Sequence, residues 1–291
     1  MKISALLQTA RPAISFEFFP PKTPQGEAAL FRTLHELRPL GPAFVSITYG
    51  AGGSERGKTV EWAARIQNEV GLLAMAHLTC VGSTREELLS VLRQYAQVGV
   101  QNIMALRGDP PQGATAFQPV AGGLRYASEL VALIRAEFGD TFAVAGGGYP
   151  EGHPEAVSLE ADLHNLKRKV DAGLDFVVTQ LFFNNALYFG FVERARRIGI
   201  EVPIVPGLMP ITDLAQIRRF MDMCGASIPG PLLSRLEKAK NPQEVLEIGV
   251  EHTTRQAQEL LAAGVPGIHL YTLNKSPATR QVVRNLQAVL R

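Results

Sequence analysis

The chain has 291 residues, 46% hydrophobic and 19% charged, ample for a large core. Its 29 basic and 27 acidic residues leave a net charge of +2, so no whole-chain field points to nucleic acid. Cys80 and Cys224 are too few for a disulfide framework or a thiolate metal site, no apolar run approaches the ~20 residues of a membrane span, and the apolar run 3–7 is too short for a signal peptide. A soluble protein of a reducing cytoplasm is the expectation.

Short apolar runs at 14–19, 44–48, 74–78, 102–106, 142–145, 176–179, 204–206 and 267–271 read as strands of a buried parallel sheet. Amphipathic stretches at 25–37, 59–70, 84–98, 124–138, 159–171, 186–198, 213–224 and 276–290 read as the helices between them. Thr84 ahead of Glu86-Glu87, Thr212-Asp213 and Ser276-Pro277 are helix starts, and Gly99, Gly139, Gly173 and Gly199 stand where helices should stop. Eight strand–helix units in this length predict an α/β fold, a single (β/α)8 TIM barrel spanning 1–291 with no separate regulatory domain. An extra helical insertion, roughly 231–263, precedes the last strand. An open doubly wound sheet is the alternative, because strand count does not prove closure.

In the first strand, cut off by Pro20-Pro21, side chains alternate: Ile14, Phe16 and Phe18 share one face, Ser15, Glu17 and Phe19 the other. An acid in the most aromatic run of the chain is costly to bury without a partner. Glu17, Thr48-Tyr49, His77, Arg107-Gly108-Asp109, Gly146-Gly147-Gly148-Tyr149, Gln180, Pro206-Gly207 and Tyr271 all fall at or just after predicted strand ends. The Gly146–Gly148 run reads as a turn. In a barrel those ends form one face, where active sites are built, so the pattern points to an enzyme.

Gly52-Gly53-Ser54-Glu55-Arg56-Gly57-Lys58-Thr59 matches the phosphate-cradling pattern G-x-x-x-x-G-K-[ST] between a strand and a helix. A P-loop nucleotidase also needs a second strand ending in a Mg²⁺-holding acid, and none of the apolar runs ends that way. The nucleotidase stays as a second reading. No G-x-G-x-x-G occurs, which argues against a Rossmann domain. His77, His153 and His164 are too dispersed to signal a metal site, so no metal is expected. On the helix 159–171, Leu159, Leu163, Leu166 and Val170 form a core stripe, with Asp162, Asn165, Arg168 and Lys169 on a neighbouring polar face. That face is either solvated or a basic wall for phosphate or ribose oxygens.

The stretches FEFFPPKT, SITYGAGG, AHLTC, ALRGDPP, YPEGHPEA, ADLHNLKRKVDAG, TQLFF, VPGLMPI and HLYTLNKS, in this order from residue 16 to 276, resemble the methylenetetrahydrofolate reductase family in its short bacterial form. The resemblance implies an FAD-binding barrel that reduces 5,10-methylenetetrahydrofolate to 5-methyltetrahydrofolate with NADH or NADPH. It implies a ping-pong cycle that supplies methyl groups for methionine synthesis, and assembly as a homo-oligomer without nucleic-acid or membrane partners. By resemblance Glu17 is the general acid, its pKa expected to rise in an apolar mouth. Asp109 matches an acid near flavin and folate. Thr48, Tyr49, Ala51, His77, Arg107, Gly108, Asp109, Tyr126, Ala127, Tyr149, His153, Asp162, Asn165, Arg168 and Lys169 match positions lining FAD. Gln180, Gln216, Phe220 and Lys275 match positions around the folate, with Glu17 and Asp109. A folate-binding barrel without redox chemistry is the third reading.

Overall fold

The computed structural model describes residues 1–9, 11–49, 56–110 and 117–287. Its elements run α1 (Ile3–Leu6), β1 (Ala13–Phe18), α2 (Pro24–Leu37), β2 (Phe44–Ile47), α3 (Arg56–Arg65), β3 (Ala74–Thr79), α4 (Arg85–Gln97), β4 (Asn102–Leu106), α5 (Ala127–Phe138), β5 (Ala143–Gly148) and α6 (Leu159–Asp171). They continue through β6 (Phe176–Thr179), α7 (Asn185–Arg197), β7 (Ile204–Val205), β8 (Gly207–Leu208), α8 (Leu214–Cys224), α9 (Gly230–Glu237), α10 (Pro242–Ala262), β9 (Gly267–Tyr271) and α11 (Pro277–Leu286).

Every strand pairs parallel to its neighbour, in the order β7-β6-β5-β4-β3-β2-β1-β9-β8. The two ends of that list are one stave. β7 and β8 flank Pro206, which has no N–H to give to a ladder; β7 pairs with β6 and β8 with β9. The Pro206 carbonyl accepts from His269 N–H at 2.9 Å, and Gly207 N–H donates to Thr179 Oγ1 at 2.9 Å. The sheet therefore closes, and the architecture is a (β/α)8 barrel.

The layering follows from alternation. Ile14, Phe16 and Phe18 point outward into the helix layer with Leu30, Leu34, Val45, Ile47, Ile268 and Leu270. Phe44, Met75, Met104, Ala145, Phe176, Val178 and Val205 fill the lower barrel. The run 3–7, to which sequence reading gave no element, is α1, and it closes that lower end: Ile3 and Leu7 pack on the same cluster, and Ile3 N–H donates to Asn102 Oδ1 at 2.8 Å.

The glycine run Gly146–Gly148 is not a turn. It is the upper half of β5, paired with Val177, Val178 and Thr179. A Cβ on Gly146 would come 2.7 Å from Leu174 Cδ1, and one on Gly148 2.8 Å from Val177 Cγ1 and 3.0 Å from Phe191 Cζ. Glycine is there because the helix layer and the neighbouring strand leave no room.

The expected insertion before the last strand is α9 and α10. It is tied to the β6–α7 connection by a buried polar network: Asn185 Nδ2 donates to Gln256 O at 3.2 Å, Gln256 Nε2 to Phe182 O at 3.3 Å, and His252 Nε2 meets Phe183 O at 3.1 Å.

Candidate active site

Glu17 stands inside the barrel at the upper end of β1, only 7% exposed. Its partners come from three other strands. Ser46 on β2 donates to Glu17 Oε2 at 3.2 Å, His269 Nε2 on β9 lies 3.2 Å from the same oxygen, and His77 Nε2 on β3 lies 3.4 Å from it. His269 is stacked on Phe44 at 5.8 Å between ring centroids, and its other nitrogen, Nδ1, is 2.8 Å from Ser15 Oγ. Ser15 Oγ also reaches the Ile268 carbonyl at 3.3 Å.

That hydroxyl suits either protonation state of the ring. It donates to Nδ1 of a neutral imidazole, or accepts from Nδ1–H of an imidazolium while donating to Ile268. Ser15, His269 and Glu17 thus form a continuous hydrogen-bonded line on the barrel's inner wall.

The charge state of Glu17 departs from the sequence expectation. Burial alone pushes its pKa up, as expected of an apolar mouth, but the charge of His77 and the hydrogen bond and charge of His269 outweigh it. The carboxyl is held well below the usual carboxylate range. The resting group is a carboxylate, not a stored acid.

Around this centre the described flavin-matched residues fall on or just after β2 to β5 and on α5 and α6 or the turns that lead into them. His77 and Thr79 lie on the same face of β3; His77 Nε2 is turned to Glu17, and Thr79 Oγ1 is a buried polar atom without a hydrogen-bond partner among the described residues. Above them the Arg107-Gly108-Asp109 turn comes close: Gly108 has φ +88°, and a Cβ there would sit 2.7 Å from Val81 Cγ1 and 3.1 Å from Thr79 Cβ. Only glycine lets the chain pass so near. Asp109 is exposed.

Arg107 makes a two-pronged ion pair with Glu155, both contacts 2.6 Å, and lies 5.0 Å over the Phe117 ring. Tyr149 and His153 pack edge to face at 4.7 Å. Burial and the neighbouring Arg107 charge lower the His153 pKa, which keeps the ring neutral.

The polar face of α6 divides. Asp162 and Lys169 turn inward: burial raises the Asp162 pKa, with Lys169 acting against it, and Lys169 Nζ donates to the Gly147 carbonyl at 2.5 Å. Burial brings the Lys169 pKa down to about 8. Asn165 and Arg168 stay exposed, with Arg168 donating to Asn165 Oδ1 at 2.7 Å.

Tyr126 is 51% exposed and caps α5, whose first residue is Ala127; Arg125 lies 5.5 Å over its ring. Thr48 is partly exposed just past β2. The Tyr49 side chain points away, into the helix layer with Tyr95, so only its main chain is left to face the mouth. Ala51 lies outside the described residues, as do positions 52–55 of the P-loop-like stretch. Within α3, Lys58 is exposed and Thr59 fully buried, so no hydroxyl is presented there as a P-loop requires.

The folate-matched residues occupy the opposite side. Gln180 follows β6, its N–H donating to the Gly148 carbonyl at 2.7 Å. Gln216 and Phe220 lie four residues apart, on one face of α8. Tyr271 Oη donates to the Thr179 carbonyl at 2.7 Å, bracing β9 against β6. Lys275 is exposed at the rim of a cavity of about 280 Å³ lined by Pro210, Gln243, Leu246, Leu273 and Ala278.

Sequence reasoning missed Ser46, His269, Ser15 and Glu155 as partners. For His269 a signal existed: a lone histidine at an inward position of the apolar run 267–271.

The family model for methylenetetrahydrofolate reductase matches residues 2–287. The chain belongs to that family. It is 39% identical over 274 residues to 5,10-methylenetetrahydrofolate reductase of Salmonella typhimurium, covering 94% of this chain and 90% of the relative. It is 41% identical over 295 residues to methylenetetrahydrofolate reductase (NADH) 1 of Arabidopsis thaliana, covering 98% of this chain. The chain spans about half the length of the plant relatives it matches, 50% in that case. Among solved structures, a Clostridium thermocellum protein described as binding two copies of 5-methyl-5,6,7,8-tetrahydrofolic acid superposes with a TM-score of 0.67 at 16% identity, covering 100% of this chain and 99% of that one. At that identity the likeness speaks for the fold. Among the described residues, no helix is long and apolar enough to cross a membrane.

Proposed function

We propose that this barrel is the catalytic unit of an FAD-dependent reductase that converts 5,10-methylenetetrahydrofolate to 5-methyltetrahydrofolate with NADH or NADPH. The observation that carries this reading is Glu17, a buried carboxylate wired to Ser15, His269, Ser46 and His77 within a reductase-family barrel. The residues present fit the cofactor. Thr79 Oγ1, buried and without a hydrogen-bond partner among the described residues, lies beside the Gly108 turn, the inward Lys169 sits beside Gly147, and an exposed Tyr126 ring offers a stacking surface. Arg107, His153, Asp162, Lys169 and the Arg168–Asn165 pair would hold its phosphates and ribose. FAD, when bound, supplies hydride transfer between the nicotinamide and the folate.

The chain's own work is proton transfer and positioning. Opening the folate's five-membered ring to an iminium requires a proton on a ring nitrogen before hydride arrives. Glu17 is placed to give it, but its resting carboxylate must first be loaded. His269, backed by Ser15, is the group positioned to pass a proton to Oε2. Once loaded, Glu17 is a strong donor, because its surroundings favour the charged form it returns to. Asp109 would steady the cationic iminium. Gln180, Gln216 and Phe220 would hold and stack the pterin and aryl parts, and Lys275 would meet the anionic tail.

With nicotinamide and folate taking turns at one face, no Rossmann domain is needed. A homo-oligomer in the cytoplasm, serving methionine synthesis, belongs to the same proposal. The test is an absorption spectrum. Purified protein supplied with FAD should turn yellow, bleach with NADH, and recover its colour when methylenetetrahydrofolate is added. Protein that stays colourless after incubation with FAD would sink the reading.

A further inference from the structure

Leu273 and Asn274 follow one another with φ of 52° and 58°, in the left-handed region that side chains rarely adopt. Two such residues in a row persist only where their surroundings over-determine them. What holds them is the main chain just past Glu17. Asn274 Oδ1 accepts from Phe19 N–H at 2.8 Å, and Asn274 Nδ2 donates to the Phe19 carbonyl at 2.9 Å. One carboxamide thus satisfies both polar groups of a residue that β1 no longer pairs and that Pro20 cuts off.

Its neighbour Thr272 completes the clamp. Thr272 Oγ1 donates to the Glu17 carbonyl at 2.7 Å, Thr272 N–H reaches the same oxygen at 3.2 Å, and Asn274 N–H donates back to Thr272 Oγ1 at 3.1 Å. From the other side Thr33 Oγ1 on α2 donates to the Asn274 carbonyl at 3.3 Å. The turn closes through Lys275 N–H to the Thr272 carbonyl at 3.0 Å, which fixes where Lys275 leaves it.

We propose that Asn274 is a positioning residue of the folate half-reaction. Through its carboxamide and Thr272 it sets the height of Glu17 in the barrel against the exit point of Lys275. The spacing between the proton donor and the cation for the substrate's anionic tail is then fixed by one turn. This rests on the function proposed above. The nicotinamide step needs no proton from Glu17 and no cation at Lys275, and should not depend on this turn.

Asn274→Gly separates positioning from mere turn formation. Glycine adopts φ 58° more readily than asparagine, so a purely conformational role predicts equal or better stability and unchanged kinetics. The positioning role predicts a protein that keeps its melting temperature, its FAD affinity and its NADH-driven bleaching. Its re-oxidation by methylenetetrahydrofolate slows by on the order of tenfold or more, as a misplacement of about 1 Å implies. The KM for the folate should rise and the acid limb of the pH profile should move. Asn274→Asp, which keeps the acceptor for Phe19 N–H but loses the donor to its carbonyl, should fall between.

Wild-type re-oxidation rate and KM in Asn274→Gly would overturn the assignment. So would early melting with equal loss of both half-reactions, which marks a fold-stabilising turn. If the wild-type protein itself were not re-oxidised by the folate, the functional reading would fail instead.

Discussion

His77 and Glu17 meet across the barrel mouth, Nε2 to Oε2 at 3.4 Å. A residue on the side assigned to the cofactor therefore touches the residue assigned to proton transfer. The two half-reactions should still separate on mutation, because the nicotinamide step needs no proton from Glu17. Glu17→Gln should bind FAD and be bleached by NADH, while folate-dependent re-oxidation falls by on the order of 10²–10⁴. Rapid-mixing absorbance of each half-reaction reads the split; equal loss in both would make Glu17 structural.

The depressed pKa of Glu17 carries a sign for stability. Its folded-state value lies below its unfolded value of about 4.3, so the stabilisation is present above that pH and lost as pH falls through the folded pKa. Glu17→Gln has no such group. The gap in melting temperature between wild type and variant should be largest near neutrality and shrink steadily on acidification below about pH 4. A gap that widens in acid would mean the carboxyl is protonated in the native state.

Lys169 predicts the pH dependence of cofactor binding. Its pKa of about 8 means that the free protein loses this charge as pH rises through 8. An anionic phosphate beside the ammonium would raise that pKa, so binding takes up a proton above pH 8 and FAD affinity should fall there by up to about tenfold per unit. Fluorescence titration of the apoprotein from pH 7 to 9.5 measures this. Lys169→Arg, which stays charged throughout, should flatten the curve; an unchanged slope in that variant would remove Lys169 from the binding step.

Neighbouring glycines of β5 should differ sharply. Gly148→Ala drives a Cβ to 2.8 Å from Val177 and should cost about 1–3 kcal/mol. At Gly147 the nearest atom to an added Cβ is 3.7 Å away, an ordinary contact, so Gly147→Ala should leave the unfolding midpoint nearly unmoved. Urea unfolding with unchanged slope distinguishes the two, and comparable losses would contradict the packing described for β5.

The strand positions were legible because strands covered on both faces are continuous apolar runs, and every predicted run but the one at β5 matches its strand to within one residue at each end. Gly146–Gly148 misled because the demand for glycine comes from Leu174, Val177 and Phe191, which are remote in sequence or on the next strand. Pro206 marked a strand end in the sequence, yet in the fold it divides one stave into β7 and β8. The inward face of Ser15 and Glu17 could be read from alternation alone. The charge state of Glu17 could not, since it depends on partners from β2, β3 and β9 that only closure assembles. Asp162 and Lys169 share a polar face with Asn165 and Arg168 in the sequence pattern, but two turns of helix put the first pair in one line, which turns inward, while Asn165 and Arg168 lie further round and stay exposed.

The short helix α1 has a consequence for proton traffic. With Ile3 and Leu7 packed against Phe44, Met75, Met104 and Phe176, the described residues fill the floor of the barrel with apolar side chains, below the polar layer around Glu17. On the function proposed above, cofactor and substrate would fill the mouth above that layer, and the proton for each turnover would have to be taken aboard before the folate seats, held in transit by Ser15, His269 and Glu17 like an airlock with a single door.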